Sequence, residues 1–241
     1  MPAAEIGMQV TVREAAALLD VSEKTIYRWI KKGDMPAYRL NEQYRFHRAE
    51  LLEWATANKI GVSVAIFHEN GGSASHPTTL SQALLDGGIV YRMVGDDKAT
   101  ILKLAVEAMR LPEEVDREQL LQVLLAREAL ASTGIGDGIA VPHVRNPIVL
   151  HIPQPTITLC FLERPVDFGA LDGQPVHCLF TMVSPTVRAH LHLLSRLAFA
   201  LRDPGFKNAI ARQALRDEIF AELRRVESGF AQPASEPAPV A

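Results

Sequence analysis

The sequence predicts two folded units: a small helical one carrying a β-hairpin, then an α/β domain whose mixed sheet is flanked by helices. At 241 residues the chain exceeds a single domain of ordinary size, about 100 to 150. Apolar residues recur at helical spacing before residue 57, and strand-like apolar runs alternate with long helical patterns after residue 79. Between the two lies Glu69-Asn70-Gly71-Gly72-Ser73-Ala74-Ser75-His76-Pro77, a glycine- and serine-rich stretch that can bury little surface. The expected organisation is therefore a first domain over 1–57, a linker over 58–78, a second domain over 79–227 and a disordered tail rich in Pro, Ala and Ser over 228–241. The apolar run 62–67 reads either as part of the linker or as a strand docking on one domain.

Hydrophobic residues at 48% and charged residues at 22% are ordinary for a soluble globular protein. A net charge of -3 supplies no whole-chain attraction for nucleic acid, so DNA contact requires a local basic cluster. The first ten residues lack a basic region followed by an apolar run, and no stretch reaches the roughly 18 apolar residues that span a bilayer, which predicts a cytoplasmic protein without a membrane span. Cys160 and Cys178 lie in apolar runs and read as buried thiols suited to a reducing compartment. His143, His151 and His190 have no tight ligand spacing, so neither a metal nor a cofactor is expected.

In the first unit Thr11-Val12-Arg13-Glu14 has the capping-box pattern, and Val12, Ala15, Ala16 and Leu19 predict a helix over 12–19. Asp20 and Val21 make a turn. Ser22 caps a second helix over 23–32, with Ile26 and Ile30 facing inward and Gly33 stopping it. This is a helix-turn-helix, and its outward face carries Lys24, Thr25, Arg28 and Lys31, with Arg28 the best placed to reach a base edge. Tyr27 and Trp29 read as packing residues. The stretch 35–46 alternates aromatic and basic residues as a hairpin or wing, offering Arg39 and Arg45 to phosphates. Leu51, Trp54 and Ala55 predict a third helix beneath it.

Residues 9–56 thus resemble the excisionase and MerR-like winged helix-turn-helix family, through REAAALLDVSEKTIYRWIKKGDMPAYRL followed by RFHRAELLEWA. The resemblance implies DNA as a partner. Residues 1–60 hold nine Lys and Arg against eight Asp and Glu, a net of +1, so tight binding would need a homodimer or several contacts.

In the second unit strands are expected over 89–94, 139–141, 156–162 and 176–183, and helices over 98–110, 116–131, 188–202, 204–212 and 215–226. The informative stretch is Ser132-Thr133-Gly134-Ile135-Gly136-Asp137-Gly138-Ile139-Ala140-Val141-Pro142-His143. Three glycines allow backbone N–H groups to turn toward an anion, and a short strand then presents His143 at its end. A neutral imidazole nitrogen at such a rim is a nucleophile able to take a phosphoryl group and pass it on.

Residues 79–226 resemble the enzyme IIA domain of the fructose, mannitol and nitrogen-regulatory branch of the phosphotransferase system. REALASTGIGDGIAVPH, VDFGALDGQPVHCLF and HLHLLSRLA carry the resemblance, which is nearest to the nitrogen-regulatory type. It implies that His143 accepts phosphate from an HPr-like phosphocarrier, that Arg127 stabilises the phosphoryl charge, that His190 is the second site histidine, and that Thr133 adds a hydroxyl donor. His192 reads as structural. The family usually has a small residue after the histidine, where this chain has Val144 and then Arg145. If that position needs a positive φ, a β-branched residue is costly there and transfer is slowed, with Arg145 supplying a compensating cation.

These readings predict a DNA-binding regulator that carries a phosphotransfer domain. The alternatives are a phosphocarrier for sugar transport, or an unphosphorylated sensor, with the N-terminal module as scaffold. A flexible linker of about 20 residues spans roughly 25 Å and transmits no torque, so coupling between the domains requires direct contact.

Overall fold

A computed structural model of the chain describes residues 9–40, 42–58, 60, 78–144 and 152–229. Most of the expected linker, the 62–67 run, Arg145, His151 and the tail beyond Gly229 lie outside the described residues.

The first unit contains β1 (Gln9–Thr11), α1 (Val12–Leu18), α2 (Glu23–Lys32), β2 (Tyr38–Leu40), β3 (Gln43–His47) and α3 (Arg48–Ala57). The capping box forms as expected: the Thr11 hydroxyl accepts from the Glu14 amide at 3.2 Å and the Glu14 carboxylate accepts from the Thr11 amide at 2.7 Å. These bonds hold the Glu14 carboxyl below its usual range. Asp20, at φ +51°, turns the chain between α1 and α2, and Gly33 ends α2 in the left-handed conformation. The hairpin pairs β2 with β3, and β3 also pairs with β1, a strand the sequence reading missed. Ala15, Leu19, Ile26, Met35, Phe46, Leu51, Leu52 and Ala55 form the buried centre.

The second unit contains α4 (Leu80–Gly87), β4 (Ile89–Met93), α5 (Lys98–Ala108), α6 (Arg117–Leu130), β5 (Gly134–Gly136), β6 (Ile139–Ala140), β7 (Thr156–Val166), β8 (Val176–Val183), α7 (Val187–Ala200), α8 (Pro204–Ala211) and α9 (Arg216–Ser228). The strands form one sheet in the order β4-β7-β8-β6-β5, with β4/β7 and β6/β8 parallel and β7/β8 and β5/β6 antiparallel. This is the mixed sheet expected. Both faces of its central strands are covered, so β7 and β8 read as nearly continuous apolar runs. Ile157, Leu159 and Phe161 share a cluster with residues of α4, α7, α8 and α9, while Cys160 and Leu162 share one with residues of α5. Cys160 and Cys178 are free, buried thiols, and burial pushes Cys160 up to about 12.

Helix α4 was not expected. It is eight residues long and capped by the Thr79 hydroxyl, and the Glu227 carboxylate near the end of α9 accepts from the Leu80 and Ser81 amides at 2.6 and 3.2 Å. The two ends of the domain are thereby tied. Val144 carries no positive φ and is buried among Val106, Met109, Val115, Leu120 and Leu124. The cost anticipated for a β-branched residue there does not arise.

The two units touch directly. Helix α3 lies against α7 and β5, and the core of the first unit runs on into the apolar layer that contains α7.

A test of this packing lies at Gly87, where an added Cβ would sit 2.1 Å from the carbonyl oxygen of Ile157 on the adjoining strand. Gly87→Ala should therefore cost at least the 1–3 kcal/mol or so usual for overpacking, read as a lower urea midpoint. An unchanged midpoint would show that α4 does not seat so closely on β7.

Candidate functional site

The site is assembled at the end of β6. The Val141 amide donates to the Thr133 carbonyl at 2.9 Å, and the Met182 amide donates to the Pro142 carbonyl at 2.9 Å, so the chain is fixed on both sides up to His143. His143 itself forms a bridge with Met182 on β8. The glycines upstream serve this arrangement differently from expectation. Gly136, Asp137 and Gly138 all have positive φ and form the β5–β6 turn, and a Cβ on Gly138 would lie 2.3 Å from the His177 ring. The Asp137 and Gly134 amides are bonded to Asp172 and to the Ser132 hydroxyl, so the loop is a packed hairpin and not an open anion cradle.

The His143 ring is 3% exposed, with Nδ1 2.8 Å from the Val141 carbonyl oxygen. A carbonyl only accepts, so Nδ1 donates, and this bond fixes both the ring plane and the outward direction of Nε2. Arg127 reaches the same point from the last turn of α6, buried, with Nη1 donating to the Ala131 carbonyl at 2.8 Å. From α7 comes His190, its ring centroid 5.0 Å from that of His143. His190 is 1% exposed and its Nε2 has no hydrogen-bond partner. Burial first, and then the neighbouring His143, lower its pKa to about 3, so the ring is neutral at physiological pH. The structure brings His143, Arg127 and His190 to one place.

Thr133 is tied elsewhere. Its hydroxyl donates to Glu128 Oε2 at 2.5 Å and its amide donates to the same oxygen at 3.0 Å, while Lys98 donates to Glu128 Oε1 at 3.2 Å. Thr133 therefore braces the α6–β5 junction in this state, in place of the direct donor role expected. His192 is half-buried on α7, its pKa lowered to about 4 by burial and by Arg196 and Arg188.

The residue that sequence reasoning missed is Glu53. From α3 of the first unit, its Oε1 stands 2.8 Å from His143 Nε2 and its Oε2 2.8 Å from Arg127 Nη2. Its side chain is 9% exposed. One signal pointed this way: Leu51 and Leu52 are adjacent and both buried, so α3 has two apolar flanks, and Glu53 lies beside the second.

On the first unit, Lys24, Arg28, Lys31 and Arg39 are exposed, Thr25 is half-buried beside the capping Ser22, and Arg45 is half-buried with its guanidinium on Gln43 and the Tyr44 carbonyl. Trp29 packs edge-on against Trp54, as expected of a packing residue. Tyr27 keeps 50% of its surface, with an edge toward Tyr44, so it is more open than the packing role expected.

No helix among the described residues is long and apolar enough to cross a membrane. The family described as phosphoenolpyruvate-dependent sugar phosphotransferase system, EIIA 2, matches residues 82–226, and a helix-turn-helix domain family matches residues 10–59. A nitrogen regulatory protein of Pseudomonas aeruginosa is 32% identical over 154 residues, covering 62% of this chain and 97% of the relative. One of Escherichia coli is 37% identical over 133 residues, covering 53% of this chain and 76% of the relative. The crystal structure of nitrogen regulatory protein IIA-Ntr from Neisseria meningitidis superposes with a TM-score of 0.50 at 28% identity, covering 58% of this chain and 94% of that one. With the matched segment holding the sheet, His143, Arg127 and His190, the chain belongs to the EIIA type-2 family of the phosphotransferase system and carries a helix-turn-helix domain ahead of it.

Proposed function

We propose that this protein is a cytoplasmic DNA-binding regulator whose EIIA domain accepts a phosphoryl group on His143 Nε2 from an HPr-like phosphocarrier. The observation that carries this reading is the pinned ring: Nδ1 is committed to the Val141 carbonyl, leaving Nε2 as the reacting atom, with the Arg127 guanidinium alongside. In the transfer the Nε2 lone pair attacks phosphorus, the bond to the carrier breaks, and the leaving atom of the carrier takes the bonding pair. Arg127 offsets the charge on the phosphoryl oxygens. A neutral, buried His190 with an unpartnered Nε2 donates to one of those oxygens in the tautomer that carries its proton on Nε2. The exposed Lys24, Arg28 and Lys31 on α2, with Arg39 on the wing, form the DNA-facing surface.

Incubated with phosphoenolpyruvate, enzyme I and an HPr-like carrier, the protein should acquire one acid-labile phosphate, and none in His143→Ala. Arg127→Ala should slow labelling by about 10- to 1000-fold, as for loss of one preorganised donor. Label that survives in His143→Ala would refute the assignment.

On DNA the full-length protein should bind in a salt-sensitive manner. Arg28→Ala should weaken binding by about 1–3 kcal/mol and blur sequence preference, whereas Arg39→Ala should weaken all sequences alike. Titration at a single low salt concentration checks this, and identical isotherms for Arg28→Ala and the parent would remove α2 from the interface.

A further inference from the structure

Among the described residues, Arg127 and His190 of the EIIA domain stand near His143 Nε2, and the group that touches it comes from the other domain. Glu53, from α3 of the helix-turn-helix domain, places one carboxylate oxygen on Nε2 and the other on Arg127. The two groups it engages are those that a phosphoryl group on His143 would use. Reacting atoms must come to within about 3–3.5 Å before transfer, and Glu53 Oε1, at 2.8 Å from Nε2, already fills that approach.

Protonation works in the same direction. The Val141 carbonyl accepts from Nδ1, and an ionised Glu53 accepts from Nε2, so the ring carries both protons and has no lone pair with which to attack. If the shared proton sits on Glu53 instead, the Nε2 lone pair is engaged by that proton. Either arrangement silences the nucleophile.

A cleft of about 240 Å³, lined by Thr56 and Ile60 on the first-unit side and by Ile135, Ala198, Phe199 and Lys207 on the EIIA side, opens along the same seam, and neither Glu53, Arg127 nor His143 lines it. Lys24, Arg28 and Lys31 stay exposed while α3 is docked, so the contact leaves the proposed DNA-facing surface of α2 uncovered.

We propose that Glu53 is a built-in occupant of the phosphoryl site, making α3 an intramolecular ligand of the EIIA face, and that docking of α3 and phosphorylation of His143 exclude one another. A phosphoryl group adds one to two negative charges at the point where the Glu53 carboxylate sits, and the two anions cannot share Arg127 at contact distance. Phosphorylation therefore expels α3, and docked α3 slows phosphorylation. The inference rests on His143 being the phosphoacceptor.

The test uses the full-length protein with the same labelling system. Glu53→Ala and the isosteric Glu53→Gln should be labelled faster than the parent, by about 5-fold or more, the lower end of usual coupling between sites. Phosphorylation of the parent protein should raise its radius of gyration by small-angle scattering and raise hydrogen exchange in the segment Arg48–Ala57, a readout that needs no variant. Equal labelling rates in all three proteins, or a phosphorylated parent that stays compact with α3 still protected, would overturn the inference while leaving the phosphoacceptor assignment standing. Absence of label in the parent and in both Glu53 variants would remove the assignment itself, and the inference with it.

Discussion

A carboxylate withdrawn from water must find compensating charge, and the Glu53 side chain, 9% exposed, finds it in Arg127 and His143. That requirement fixes the relation of the two domains more sharply than apolar contact does. Apolar surfaces tolerate sliding, whereas a bidentate contact with two partners at 2.8 Å each admits one register of α3 on α7 and β5. The EIIA domain meets the same requirement at Arg127, whose remaining described contact is the Ala131 carbonyl at the end of its own helix.

Behind this contact stands the sheet. His143 is positioned by β6, a two-residue strand that holds its place because β8 pairs with it in parallel and β5 folds back on it antiparallel. The hairpin between β5 and β6 requires three consecutive residues at positive φ, which explains the glycines at 136 and 138 and leaves Asp137 as the one residue that must bear the strain. Its amide is bonded to Asp172 and its carboxylate to Lys207, contacts that help to hold that conformation. The histidine is therefore placed by local pairing, and its neighbours by the helices that cover the sheet.

Much of this was legible in the sequence because the signals are local. The capping box at Thr11, the Ser22 cap, the Gly33 stop and the motif leading to His143 each act over a few residues, and each element they predict is present. What was not legible depends on distance or brevity. Strand β1 is three residues long and overlaps the capping signal of α1. Helix α4 follows directly on the expected linker, and one of its amide partners, Glu227, lies 147 residues away. Strand β7 runs on to Val166 past the expected end at Leu162, because Glu163 and Arg164 are exposed and break the apolar run without breaking the strand, and Val166 pairs with Val176. Glu53 is the extreme case: its partners are 74 and 90 residues distant and in another domain, and an acidic residue on an amphipathic helix ordinarily signals solvent.

The energetics of buried ion groups suit a contact that must open. Desolvation of the charges consumes much of their attraction, so a satisfied buried pair adds little net stability, although removing one partner costs several kcal/mol. The Arg127–Glu53–His143 arrangement accordingly specifies where α3 sits without locking it there. When Arg127 gains a phosphoryl group in place of Glu53, its charge stays compensated, and Glu53 returns to water, where its charge is no longer costly to hold. The exchange leaves no buried charge unpaired in either state. A hydrophobic plug in the same place would lack this property, since a phosphoryl group has no specific means of displacing it.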